Sequence, residues 1–212
     1  MVEASAYHES VDDNAGTDLD TAVLPPAPGA EQYVALAFAN TAVALPGGQF
    51  ADELGTPDSA TRWLVEQGFA PPETELREMC AAQVRSLREQ VRVLFASRSC
   101  SDPAPQSALT AVNDALSKAP TAALLRWDPI QGLCRTAPHP ITQIVEHALA
   151  TLAANAADLL TGPDAERLAA CGSAPCSRFF LRNGRRQWCS VRCGDRARAA
   201  RAYARRTQPE PV

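Results

Sequence analysis

Residues 171–193 read CGSAPCSRFFLRNGRRQWCSVRC, and the spacing of the four cysteines in this stretch decides how the chain divides. Cys171 and Cys176 enclose four residues, Cys189 and Cys193 enclose three, and twelve residues lie between the pairs. Two close thiol pairs joined by a short segment suit tetrahedral zinc, because each pair bends one turn around the metal and the segment brings the turns together. Thiolate is a soft ligand that zinc favours, and four of them close the coordination shell with no position left for an activated water. The expectation is one structural zinc ion per chain on Cys171, Cys176, Cys189 and Cys193. The other three cysteines, Cys80, Cys100 and Cys134, are scattered and read as small apolar residues.

The intervening segment predicts a hairpin. Phe179-Phe180-Leu181 reads as one strand, Asn183-Gly184 as its turn and Gln187-Trp188 as the return, with a helix following Cys193. Knuckle, hairpin, knuckle and helix is a treble-clef-like order. A module this small cannot hold itself together by burial alone, so zinc, contributing on the order of 10–16 kcal/mol in small fingers, has to do so.

Charge changes sign at the same place. Residues 1–166 carry nine Lys and Arg against 22 Asp and Glu, a net of −13. Residues 167–212 carry 11 Arg against Asp195 and Glu210, a net of +9. Arg182, Arg185 and Arg186 border the expected turn, Arg192 lies in the second knuckle and Arg196 at the helix start. Arg198, Arg201 and Arg205 recur at helical spacing on one face. The planar guanidinium donates two parallel hydrogen bonds to a phosphate, so these eight arginines are the candidate nucleic-acid contacts. Trp188 and Tyr203 are candidates for base stacking, although a Trp beside a zinc ligand more often forms the finger's small core.

Upstream, the pattern is helical. Residues 1–30, acidic and then Pro-rich, read as a disordered leader. Thr56-Pro57-Asp58 carries a helix-start signature, and Gly68 marks the stop. Pro71-Pro72 is expected to open the longest helix, with Leu76, Cys80, Val84, Leu87, Val91 and Leu94 as a buried stripe. Asp102-Pro103 should start the next helix. Residues 124–127 and 133–136 form a hairpin pattern, and Pro140 opens a helix that Gly162-Pro163 ends. The fold class is mainly α: a helical domain over residues 31–165 with a short β-hairpin, then a small treble-clef-like finger over 166–206 and a tail over 207–212. No apolar run approaches the roughly 18 residues of a membrane span. The N-terminus has no signal-peptide pattern, so a cytoplasmic location is expected.

These residues carry a family resemblance. The run Asn183-Gly184-Arg185-Arg186-Gln187-Trp188-Cys189-Ser190, followed by Cys193-Gly194-Asp195-Arg196, resembles the CGNR zinc finger. Residues 36–41 (LAFANT), Asp52-Glu53-Leu54, Thr56-Pro57 and Trp63-Leu64 look like the ABATE domain that usually precedes that finger. Asp195 stands where the finger's name-giving Asn is found. The resemblance implies a mainly α N-terminal domain, the four cysteines as zinc ligands, and a role in stress-induced transcription through DNA.

The functional expectation is a transcriptional regulator. The finger contacts nucleic acid, DNA in the first place, and the helical domain senses a small-molecule effector or binds a protein partner. The alternative is a finger that recognises RNA or protein without reading DNA sequence. Catalysis is not expected: His139, Glu146 and His147 are the sole imidazole–carboxylate grouping in the expected folded region, and no nucleophile motif or phosphate loop occurs.

Overall fold

The computed structural model describes residues 24–119, 124–136 and 143–207. Residues 1–23 of the expected leader, His139, Pro140 and Ile141, and residues 208–212 of the expected tail lie outside the described residues.

The chain enters through a short apolar helix, α1 (Val34–Ala39), whose first turn is satisfied from a distance: Ala35 N–H donates to Asn155 Oδ1 at 2.8 Å. A small antiparallel pair follows, β1 (Ala42–Ala44) and β2 (Phe50–Asp52), with Val43 opposite Ala51. Its three-residue strands are too short to show a period in the sequence, and this hairpin was not anticipated.

Helix α2 (Pro57–Glu66) begins as expected. Thr56 Oγ1 accepts from Ser59 N–H and Ser59 Oγ accepts from Thr56 N–H, a reciprocal cap that holds the first turn.

The longest helix, α3 (Glu78–Cys100), starts later than Pro71-Pro72 suggested. Leu76 N–H donates to Thr61 Oγ1 of α2 at 3.1 Å, and Arg77 is extended at the N-cap, so residues 71–77 are drawn along α2 instead of coiling. The expected stripe is otherwise in place, with Val84, Leu87, Val91 and Leu94 buried. Ser101 ends α3 with a left-handed φ of 58°, and Asp102 N–H returns to Ser97 O at 2.8 Å. The next helix, α4 (Gln106–Lys118), therefore begins after Pro105 and not at Asp102-Pro103.

The hairpin β3 (Leu124–Asp128) and β4 (Gly132–Thr136) is where the pattern placed it. Asp128 Oδ1 accepts both Ile130 and Gln131 N–H at 2.8 Å across the turn. Helix α5 (Ile144–Thr161) is buried on most of its surface and ends at Gly162. No helix among the described residues is long and apolar enough to cross a membrane.

Two short strands, β5 (Leu168–Ala170) and β6 (Phe179–Leu181), pair antiparallel and join the two halves of the molecule. Side chains alternate across β6. Phe179 and Leu181 enter the main core with Phe95, Leu152 and Leu159, while Phe180 faces the cysteines. The Phe95 and Phe179 rings meet edge-on at 5.7 Å between centroids. Burying Phe179 and Leu181 against the helices contributes roughly 1.5–3 kcal/mol each, so the finger is docked on the helical domain.

The Pro-rich segment corrects the reading of a disordered leader through residue 30. Leu181 N–H donates to Pro28 O at 2.8 Å, and Arg178 Nη2 donates to Pro25 O at 2.7 Å. Ala27 is buried in the finger's own small core. Gly29 takes a φ of 95°, and a Cβ there would lie 2.5 Å from Leu181 Cγ. Composition flagged this segment as unable to build a core, yet it borrows one from the finger.

Candidate metal centre and nucleic-acid surface

Local structure brings each thiol in from a different direction. Cys171 and Cys176 lie on the turn between β5 and β6, where Cys171 N–H continues the ladder to Arg178 O at 2.8 Å and Cys176 N–H closes on Ser173 O at 2.9 Å. Cys189 precedes helix α6 (Val191–Thr207), and Cys193 lies in its first turn. Ser190 Oγ accepts from Cys193 N–H at 3.2 Å and so caps this helix.

Two parts of the expected finger differ. The strand expected at Gln187-Trp188 does not form: β6 pairs with β5, before the cysteines, although Asn183-Gly184 does turn, with Gly184 at a φ of 59°. The helix begins two residues before Cys193, not after it.

The four sulfurs all lie within 4.8 Å of one another, and Cys189 Sγ is 3.7 Å from both Cys176 Sγ and Cys193 Sγ. With Zn–S bonds of about 2.3 Å, a regular tetrahedron has an S···S edge of roughly 3.8 Å. The donor set fits a single zinc ion, with Cys171, Cys176, Cys189 and Cys193 as its ligands, and leaves the metal a structural role.

The protonation chemistry points the same way. Cys176 and Cys189 donate to Cys171 and hold its thiol far below the ordinary range. The same contact with Cys171 pushes Cys176 up to about 11 and Cys189 higher still. Four neighbouring thiolates are sustained only by a cation in their midst. Two further donors reach the sulfurs: Cys189 N–H to Cys171 Sγ at 3.5 Å and Arg196 Nη2 to Cys193 Sγ at 3.3 Å.

The eight candidate arginines divide into three groups. Arg196 also donates to Ala174 O and Ser173 O, and Arg186 donates to Trp188 O and Cys189 O, so these two brace the knuckles. Arg198 and Arg201 lie over the Trp188 ring at 5.7 and 5.5 Å, and Arg198 pairs with Asp195. Trp188 packs against the finger's core, as a small-core residue should. Gly194 permits this, because a Cβ there would lie 3.2 Å from the Trp188 ring. Arg182, Arg185, Arg192 and Arg205 are exposed, and their side chains form no ion pair among the described residues.

One motif residue of the helical domain reaches the finger, and others anchor the β1–β2 hairpin to α3. Asn40 is buried, accepts from Phe179 N–H and donates to Phe179 O, both at 2.8 Å, and so acts as an extra strand residue beside β6. Asp52 receives a two-pronged contact from buried Arg88, at 2.5 and 2.9 Å, and Arg88 also reaches Thr41 Oγ1. One turn later Arg92 donates to Ala39 O, Ala42 O and Ser177 O, and its guanidinium stands 5.5 Å from the Phe179 ring centre.

Residues 33–163 match the ABATE family model, described as "Putative stress-induced transcription regulator". The chain belongs to the ABATE family. Residues 167–206 match the CGNR zinc finger model, which spans all four cysteines. No curated protein matches the chain. In this ABATE protein Asn40 joins domain to finger, while Asp52 and Leu54 are fastened to α3 through Arg88 and Arg85. Neither Arg92 nor Arg178 was singled out in the sequence. The available signal was weak: Arg92 is a charged residue between Val91 and Val93, and Arg178 directly precedes the apolar run Phe179-Phe180-Leu181.

The remaining expected groups are dispersed. His147 is buried in α5, Cys80 packs at the core margin, Cys100 is exposed and Cys134 is half-buried on β4.

Proposed function

We propose that this ABATE protein is a transcriptional regulator whose zinc finger binds DNA chiefly through phosphates, with the helical domain acting as its sensor. The observation that carries the reading is the set of exposed arginines, Arg182, Arg185, Arg192 and Arg205, on a metal-held module whose Asp195 is already engaged by Arg198. Guanidinium groups without a carboxylate partner attract polyanions, and the zinc scaffold holds them in fixed relation. The protein acts in the cytoplasm, on the nucleoid, and is not an enzyme.

Phosphate-led binding has a thermodynamic signature, because each neutralised phosphate releases counterions. Anisotropy titrations of zinc-loaded protein on duplex DNA should show affinity falling with salt, with a log–log slope of about −3 to −4 if the four arginines each engage one phosphate. Arg185→Ala and Arg192→Ala should each reduce that slope by about 1. Absence of duplex binding at low salt would sink the proposal. One observation favours the alternative of a protein partner: the Asp195 carboxylate, exposed even while Arg198 holds it, opposes a phosphate of either DNA or RNA near the start of α6. Parallel titrations against duplex DNA and single-stranded RNA, with a pull-down for protein, decide among them.

A further inference from the structure

A cleft runs between the β1–β2 hairpin, α2 and the finger. It comprises two adjoining cavities of about 490 and 760 Å³ that share Leu24, Val43, Leu45, Glu53 and Arg178 in their walls. Its apolar wall is continued by Trp63 in the smaller cavity and Phe50 in the larger. Its basic wall comes from the finger, where Arg178 is joined in the larger cavity by Arg192 and Arg196.

Arg178 is the unusual member. Only 5% of it is exposed, Nη2 reaches Pro25 O, and Nε has no hydrogen-bond partner. It makes no ion pair among the described residues, in contrast to the buried Arg88, which grips Asp52. A buried guanidinium without a counter-anion is costly, and an orphaned donor adds to that cost. Glu53 lines the same walls but forms no ion pair with Arg178; burial pushes its carboxyl up, and the Arg178 charge partly offsets this.

We propose that this cleft is a binding site for a small organic acid, with its carboxylate on Arg178 and its apolar body against Leu45, Val43 and Trp63. The cleft volume and the larger apolar share of its surface are those of a small-molecule site, with Arg62, Glu66 and Asp52 as further charged groups in its walls. This deepens the sensor role given above to the helical domain and rests on that reading. It also locates the sensing point, since Arg178 lies between Cys176 and β6 and the occupant touches domain and finger together.

The test reads Arg178 itself, without nucleic acid, so its failure leaves the DNA proposal standing. The full-length zinc-loaded chain is titrated with benzoate and, separately, with neutral benzamide while the arginine Nε–H resonances are followed by ¹H–¹⁵N NMR. One buried Nε–H resonance, absent in Arg178→Lys, should shift saturably with benzoate and stay in place with benzamide. Leu45→Trp, which fills the cleft and leaves Arg178 intact, should weaken benzoate binding by about tenfold or more. No saturable shift, an equal response to benzamide, or undiminished binding in Leu45→Trp overturns the proposal. The leader offers a rival source of carboxylate, since residues 1–23 hold six Asp and Glu and no Lys or Arg. If Asp18→Asn with Asp20→Asn moves the Arg178 resonance with no acid added, the anion belongs to the leader and the proposal falls.

Discussion

Asn40 shows how one side chain joins two modules. Its amide offers a donor and an acceptor in the geometry of a backbone peptide, and both are used on Phe179. Asn40→Ala leaves the N–H and C=O of Phe179 buried without partners, each costing about 1–3 kcal/mol. Chemical denaturation should show a loss of about 2–4 kcal/mol; a loss within experimental error would mean that water replaces the amide. Asn40 was visible in the sequence as part of a family motif, but its task was not. A buried polar residue 139 positions from its partner leaves no local signature. The arginines make a related point. Their sequence spacing marked them as one group, while the structure separates Arg186 and Arg196, spent on carbonyls and sulfur, from the exposed Arg185 and Arg192.

At the level of elements, the finger depends on its metal more than on its strands. Strands β5 and β6 are three residues long, and α6 buries only Cys193 and Gly194. Cys189→Ser should abolish stoichiometric zinc and melt α6, seen as a loss of helical circular dichroism confined to the C-terminal segment; a retained zinc or helix would contradict the assignment. Zinc requires thiolates, and the contact with Cys171, with burial, pushes the Cys176 thiol up to about 11. Protons therefore compete with the metal, and zinc affinity should fall as pH falls, measured by competition with a chromophoric chelator. The cysteines were legible because metal coordination constrains spacing along the chain. The partner of β6 was not, since a three-residue strand pairs with whichever edge the tertiary packing presents, and here that edge is β5. The late start of α3 has a similar origin: Pro71-Pro72 satisfies the local rule for a helix start, but the bond from Leu76 to Thr61 takes the segment elsewhere.

For the molecule as a whole, α3 is the spine on which both modules are fastened. Arg88 and Arg92 reach from it to the β1–β2 hairpin and to the finger's Ser177. Burial opposes ionisation of Asp52, but the Arg88 contact and the Leu54 N–H outweigh it and hold the carboxyl below its usual range. That contribution is complete above the unfolded carboxylate value of about 3.9 and is lost as pH falls through the lower folded value. Arg88→Ala should cost about 2–4 kcal/mol near neutral pH, at the lower part of the range for buried pairs because the Asp52 side chain is 20% exposed. Asp52→Asn should flatten part of the acid-side decline in a series of denaturation curves, and an unchanged acid limb would show that the pair carries no such linkage.

The clamp of Pro25 and Pro28 on the finger has a consequence for the life of the protein in a cell. Residues 25–28 are stitched to the finger, so the metal guards two stretches far apart in sequence at once. Stripping zinc should release residues 24–30 together with residues 182–207, offering a protease two cleavable tails in a single event while the helical body between them survives. Metal starvation would then be read as a pair of simultaneous N- and C-terminal cuts in a timed digest, and the protein's lifetime would follow the supply of zinc.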